Sequence, residues 1–95
     1  MQLIQTKKFA KWIVKLKDRT ALSLIADRLE RLEEGHFGDS KSVGSNVSEL
    51  RIHHGGGYRI YYTRRGDEII ILLAGGLKRS QKHDIKYAQE MAKSL

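Results

Sequence analysis

The chain has 95 residues, with 18 Lys and Arg against 11 Asp and Glu, which gives a formal net charge of +7 and a pI near 9.9. This length suits one domain with a single core. The absence of cysteine excludes disulfides and thiolate zinc sites, and no apolar run approaches the roughly 20 residues of a membrane span. We expect a soluble cytoplasmic protein, without a membrane partner, whose charge suits nucleic acid or an acidic protein.

The first third of the chain predicts a short strand and two helices. Leu3 and Ile4 indicate the strand. Asp18 or Thr20 is placed to cap the second helix, and Gly35 to end it. Apolar residues recur at helical spacing in both helices, which we expect to form a hairpin: Phe9, Trp12, Ile13 and Leu16, then Leu22, Ile25, Leu29 and Leu32.

The remainder predicts a loop, a sheet and a last helix. Residues 36–46 are rich in Gly, Ser and Asn and are expected to form a loop. Three antiparallel strands in meander order are predicted over residues 47–53, 58–63 and 68–74. Ser80 is expected to cap the last helix, and its buried stripe is predicted at Ile85, Ala88, Met91, Ala92 and Leu95. The sequence therefore predicts an α+β fold.

Basic and aromatic side chains gather on the predicted sheet. Alternation along residues 47–53 turns Leu50 and Ile52 to the core, and sends Glu49, Arg51 and His53 to the opposite, open face. Arg59 and Tyr61 of the next strand can join that face if the register fits. Lys78 and Arg79 precede the last helix, where free backbone N–H groups also favour an anion. A phosphate is therefore expected among these groups.

These residue types fit RNA cleavage, which needs a base, an acid and cations at the scissile phosphate. His53 and His54 are candidates for base and acid, while Arg51 and Arg59 could hold phosphate oxygens. The candidate catalytic residues are Arg51, His53, His54, Arg59 and Lys78; the candidate RNA-binding residues are Tyr58, Tyr61, Arg79 and Lys82.

Each assignment has a plainer alternative. Adjacent histidines before a glycine run are typical of solvent-facing hairpins, and Tyr58 and Tyr62 share strand parity, as edge-of-core aromatics do. The histidines are too scattered to predict a metal site, and no cofactor is expected. The run Gly55, Gly56, Gly57 joins two strands, so it predicts chain reversal rather than a phosphate loop.

Several linked motifs follow one another in the second half of the chain: Gly38, Asp39, Lys41, Val43, Gly44, residues 49–52 (ELRI), residues 57–62 (GYRIYY), Leu72, Leu73, Gly75, Gly76, Lys78, Gln81, Asp84 and Ile85. These motifs resemble those of the RelE/ParE toxin superfamily, in particular its HigB-like, phage-derived branch of addiction-module killer proteins. Further matches to that branch lie upstream at Trp12, Asp18 and residues 26–35.

The resemblance implies a RelE-like fold: an antiparallel sheet of three or four strands, an N-terminal helical hairpin and a C-terminal helix. It also implies a toxin, monomeric when alone, that is held inactive by a HigA-like helix-turn-helix antitoxin. Many relatives cut mRNA on the ribosome, and carrying over their phosphate-handling positions points to Arg51, Arg59, Lys78 and, less directly, Arg79. Such nucleases often keep a C-terminal tyrosine, for which this chain offers Tyr87.

Three other functions are compatible with the sequence. Members of the ParE type inhibit DNA gyrase and have no nuclease site. A non-toxic relative would act only as a partner of its antitoxin. Binding of nucleic acid without cleavage is the third alternative.

Overall fold

A computed structural model describes residues 1–95. The chain forms five strands and three helices, with a single 3-10 turn at Lys78–Ser80 before the last helix. The strands are β1 (Gln2–Gln5), β2 (Ser40–Ser42), β3 (Val47–Ile52), β4 (Tyr58–Arg65) and β5 (Ile69–Leu77), and the helices are α1 (Lys7–Lys15), α2 (Arg19–Glu33) and α3 (Gln81–Lys93). No helix has the length and apolar character needed to cross a membrane.

All five strands form one mixed sheet in the order β1-β5-β4-β3-β2. The meander of β3, β4 and β5 is confirmed, but the expected purely antiparallel sheet of three or four strands is wrong because β1 runs parallel to β5. The predicted loop at 36–46 also contains β2, which pairs antiparallel with β3. Backbone hydrogen bonds build this strand from Ser-Lys-Ser, a segment with no apolar residue to signal it.

Helices cover both faces of the sheet. The face under α1 and α2 holds the larger core cluster, and the face under α3 holds the smaller one. The larger cluster comprises Phe9, Ala21, Ile25, Leu32, Leu50, Ile52, Tyr58, Ile60, Tyr62, Ile70 and Leu72, and the smaller comprises Val47, Tyr61, Leu73, Ala74 and Ala88. The adjacent Leu73 and Ala74 share one face because the pairing of β4 with β5 shifts register between Tyr61 and Tyr62.

The helix α2 begins at Asp18, one of its two predicted caps, but α1 and α2 do not form a self-contained hairpin. Thr6 Oγ1 accepts a hydrogen bond from Phe9 N–H, and Asp18 Oδ1 accepts one from Ala21 N–H, so both helices have side-chain caps. The main packing partner of α1 is β5 rather than α2. Gly75 of β5 allows this approach, because a Cβ there would overlap the ring of Trp12.

Candidate functional site

A buried polar cluster lies between the sheet and the start of α3. We use this name for Glu49 of β3, Arg59 and Tyr61 of β4, and Gln81 of α3. Glu49 and Tyr61 are fully buried and Arg59 is 9% exposed. Glu49 Oε2 accepts a 2.8 Å hydrogen bond from Gln81 Nε2 and lies 3.7 Å from Arg59 Nε. Arg59 Nη1 donates to the Gly57 carbonyl at 2.9 Å.

The expectation that this sheet face is open is wrong at Glu49, Arg59 and Tyr61, because α3 covers that part of it. Burial, together with the nearby charge of Glu49, raises the pKa of Tyr61. Three buried atoms of the cluster, Glu49 Oε1, Arg59 Nε and Tyr61 Oη, have no hydrogen-bond partner. Two of the predicted site residues, Arg59 and Tyr61, therefore lie inside the protein.

Beside this cluster lies an open hollow, the basic depression, between the β3–β4 loop and the end of β5. It measures about 340 Å³ and is lined only by His53, His54, Gly55, Gly56, Gly57 and Lys78. Neither a carboxylate nor an apolar side chain contributes to the lining. Lys78 is exposed and forms no ion pair. The structure thus brings three of the predicted catalytic side chains together.

Gly57 joins the buried polar cluster to the basic depression. Its φ of +80° is a left-handed conformation that favours glycine. A Cβ at Gly57 would lie 2.9 Å from Arg59 Nη1 and 3.4 Å from Lys78 Cβ. The guanidinium of Arg59 therefore lies directly behind the glycine-lined wall, close to the ammonium-bearing side chain of Lys78.

Two carboxylates that the sequence did not assign to the site contact its histidines. Asp39 accepts a 2.8 Å hydrogen bond from Arg51 Nη2 and lies 2.6 Å from His53 Nε2. Asp18 lies 3.0 Å from His54 Nε2. Hydrogen bonds from His53 and then Arg51 hold the pKa of Asp39 below its usual value, and for Asp18 the Ala21 N–H is the main cause of a lowered pKa.

The tyrosines proposed to stack on bases are not available for stacking in this structure. Tyr58 is 8% exposed and belongs to the larger core cluster, with Trp12 at 6.4 Å between ring centroids. Its ring is stacked on His54 at 6.3 Å and 15°. Burial, followed by the charge of Asp18, raises the pKa of Tyr58. Tyr58 thus packs against His54 as an aromatic residue of the core, in agreement with the alternative interpretation of Tyr58 as an edge-of-core aromatic.

The start of α3 combines exposed cations with an acid. Arg79 and Lys82 are exposed and form no ion pair. Ser80 occupies the N-cap position, but its hydroxyl lies 2.6 Å from Asp84 Oδ2 instead of capping the helix. Because Asp84 already places a carboxylate in the first turn, this helix end is a weaker anion site than the sequence suggested.

Comparisons with known proteins agree with this architecture. The family model described as "Phage derived protein Gp49-like" matches residues 11–93. A protein of Haemophilus influenzae, described as uncharacterized, is 43% identical over 95 residues, which cover 100% of this chain and 96% of that protein.

Two solved structures share the fold. A doubly substituted E. coli toxin RelE in the free state superposes with a TM-score of 0.68 at 16% identity, over 94% of this chain and 93% of that one. A chain of the intact E. coli RelBE toxin–antitoxin complex gives a TM-score of 0.61 at 19% identity, over 79% of this chain and 93% of that one. The expected RelE-like α+β fold is thereby confirmed.

Proposed function

This chain belongs to the phage-derived Gp49-like family, and on that premise we propose that it is the toxin of a type II toxin–antitoxin module and cleaves mRNA on the ribosome. The fold that it shares with RelE and with a chain of the RelBE complex supports the toxin assignment. The observation that carries the nuclease assignment is the basic depression, whose open surface is lined by two imidazoles and an ammonium group.

The chemistry of this depression suits cleavage of an RNA phosphodiester. One imidazole takes the proton of the 2′-hydroxyl, whose oxygen then attacks the adjacent phosphorus. The bond to the 5′-oxygen breaks, and the second imidazole, in its protonated form, gives that oxygen a proton. The products are a 2′,3′-cyclic phosphate and a free 5′-hydroxyl, so no metal or cofactor is required.

Cations of the site stabilise the charge that develops on the phosphate. Lys78 reaches it directly, because its ammonium group is exposed beside the histidines. Arg59 contributes its positive charge from behind Gly57. Arg51 is directly opposite Arg59 in the sheet and is paired with Asp39, the carboxylate that contacts His53. Preorganised cations of this kind account for a large share of catalysis in phosphoryl chemistry.

The proposed biological setting follows from the same premise. We propose a monomeric toxin in the cytoplasm, whose partners are mRNA on the ribosome and a cognate HigA-like antitoxin with a helix-turn-helix domain. The net charge of +7 favours both a polyanionic substrate and an antitoxin segment rich in acidic residues. Arg79 and Lys82 extend the exposed positive surface next to the depression.

The test uses purified protein, ribosomes programmed with a defined mRNA, and mapping of the new 5′ ends by primer extension. Lys78→Gln and Arg59→Ala are run beside the wild type, with Lys93→Gln as a control that removes one exposed charge from the far end of α3. Cuts within translated codons that are lost in Lys78→Gln, but kept in Lys93→Gln, support the proposal.

Ribosome-free RNA and DNA gyrase complete the design. Equal cleavage of free RNA would contradict ribosome dependence. Intact mRNA together with inhibited supercoiling by gyrase would instead establish a ParE-type toxin. If cells stop growing after induction of neither the wild-type protein nor Lys78→Gln, the chain is a non-toxic relative.

A further inference from the structure

Two neighbouring histidines in the basic depression are each paired with an aspartate from a distant part of the chain. Asp18, at the start of α2, contacts His54, and Asp39, just before β2, contacts His53. We propose that Asp18 and Asp39 are positioning residues that fix the ring orientation and tautomer of His54 and His53 for RNA cleavage. This inference rests on the proposed nuclease function.

Each carboxylate is itself held by a second partner. Oδ1 of Asp18 accepts a 3.0 Å hydrogen bond from Ala21 N–H and so caps α2, while Oδ2 lies 3.0 Å from His54 Nε2. Oδ1 of Asp39 accepts from Arg51 Nη2, which leaves Oδ2 for His53 at 2.6 Å. Because both oxygens of each carboxylate are engaged, the group is fixed and can in turn orient an imidazole.

The pairing selects one nitrogen of each ring for chemistry. An ionised carboxylate only accepts hydrogen bonds, so a neutral imidazole beside it carries its proton on Nε2. The other nitrogen, Nδ1, then keeps its lone pair. Neither Nδ1 forms a hydrogen bond in the structure, and both rings line the basic depression with Lys78. Nδ1 is therefore the atom on each histidine that exchanges a proton with RNA.

The carboxylates also act during the proton transfer. When an imidazole takes the 2′-hydroxyl proton it becomes a cation, and the adjacent carboxylate stabilises that cation. Asp39 shares its charge between His53 and Arg51, whereas Asp18 has no cationic partner other than His54. His54 is also less exposed than His53, at 30% against 75% of its side chain, and is stacked on Tyr58. Asp18 is accordingly the stronger of the two positioning residues.

Asparagine substitutions test the proposal with little change in shape. At residue 18 an asparagine still caps α2, because Asn and Asp are about equally good at that position. Its amide NH2 group, however, donates a hydrogen bond to Nε2 and so favours the proton on Nδ1. Asp27→Asn is the matched control, since Asp27 forms an exposed ion pair with Arg31 and contacts no histidine.

Two measurements are made on each variant. Nitrogen-15 NMR of the ring nitrogens reports the histidine tautomer without reference to activity, and steady-state cleavage of mRNA on ribosomes gives kcat and KM. We expect Asp18→Asn to move His54 to the Nδ1–H form and to lower kcat about 10²-fold, within the usual range for general acid–base catalysis, with KM little changed. Asp39→Asn should act likewise on His53 with a smaller loss of kcat, and Asp27→Asn should match the wild type.

The two readouts separate failure of the inference from failure of the proposed function. Wild-type rings without the Nε2–H tautomer would overturn the inference even if mRNA is cut. So would a changed tautomer in Asp18→Asn with kcat unaltered, because the carboxylate would then be structural. A wild type that cuts no mRNA refutes the nuclease proposal, and with it any catalytic role of these pairs, whatever the NMR spectra show.

Discussion

The buried polar cluster lies mainly on β3 and β4, and the basic depression lies beside it at the loop that joins these strands, yet the two present their charges in opposite ways. In the cluster, Arg59 is enclosed with Glu49 beneath α3. In the depression, Lys78 is exposed and unpaired beside two histidines. Arg59 and Lys78 are both predicted as phosphate-binding cations by the sequence, but the structure buries Arg59 behind Gly57 and exposes Lys78 in front of it.

This difference predicts which substitutions change the stability of the fold and which change the activity. A buried charge whose partner is removed destabilises the folded state strongly, whereas an exposed lysine contributes little to stability and remains free for a substrate. Substitutions in the cluster should therefore act first on the free energy of unfolding. Substitutions in the depression should act on cleavage and leave the fold intact.

The largest effect is expected from Glu49→Ala. The change leaves Arg59 without its carboxylate in a site where Glu49 is fully buried, so we expect the free energy of unfolding to fall by about 3–5 kcal/mol. Urea unfolding followed by tryptophan fluorescence measures it. The double variant Glu49→Ala with Arg59→Ala should lose less than the sum of the two single changes, because the residues share one interaction.

A loss below about 1 kcal/mol in Glu49→Ala, which is the range of exposed ion pairs, would contradict the structural role of the cluster. It would also mean that Arg59 is free to turn toward the depression. Any fall in cleavage by Arg59→Ala could then be assigned to the phosphate contact alone, rather than to a weakened fold.

The next largest effect is on activity, in Lys78→Gln. Removal of one preformed donor to a developing oxyanion typically lowers kcat about 10²-fold, and we expect that loss here. The urea midpoint should equal that of the wild type, because Lys78 is exposed and forms no ion pair. Cleavage at the wild-type rate would remove Lys78 from the site.

The sequence predicted most secondary structure because the apolar spacing is strong. The stripe in α2 and the apolar run of β5 are local signals; α2 lies where the sequence placed it, and β5 continues beyond the predicted residues 68–74 to Leu77. The failures are non-local. Parallel pairing of β1 with β5 joins residues more than 60 apart, from Gln2 with Ile69 to Gln5 with Leu72, and no local pattern reports it.

The site was predicted only in part for the same reason. Alternation along β3 correctly gave the face of Glu49 and Arg51, but it could not show that α3 covers part of that face. The two aspartates were missed as partners because they are separated from their histidines by 14 and 36 residues. Their only sequence signal was that Asp18 and Asp39 belong to the matching motifs.

A third prediction concerns the face of the sheet that α1 covers, opposite the buried polar cluster. Gly75→Ala introduces a methyl group against the ring of Trp12, which packs at the edge of the larger core cluster. Overpacking of this kind typically lowers the free energy of unfolding by about 1–3 kcal/mol. Ala74→Gly is the control, because Ala74 is also on β5 but belongs to the smaller core cluster on the opposite face, away from Trp12.

Tryptophan fluorescence gives a second readout for Gly75→Ala, since Trp12 is the only tryptophan. We expect its emission to shift with the displaced ring, while Ala74→Gly leaves the emission in place. An unshifted spectrum with full stability would show that α1 is free to move away from β5, and that the sheet does not require this close approach.

The smallest effect is a pH dependence at the border of the two regions, where Asp18 and Asp39 meet the histidines. Both carboxyl groups have a pKa below the usual value near 3.8. A carboxyl whose pKa is lower in the folded than in the unfolded state stabilises the fold above the unfolded pKa, and this contribution is lost as the pH falls through the folded pKa. We therefore expect the wild type to exceed the double variant Asp18→Asn, Asp39→Asn in urea midpoint above about pH 5. That margin should shrink below about pH 4. Lys78→Gln is the control and should show no such trend relative to the wild type. A margin that does not depend on pH in the double variant would mean that these carboxylates are not held by their partners in solution.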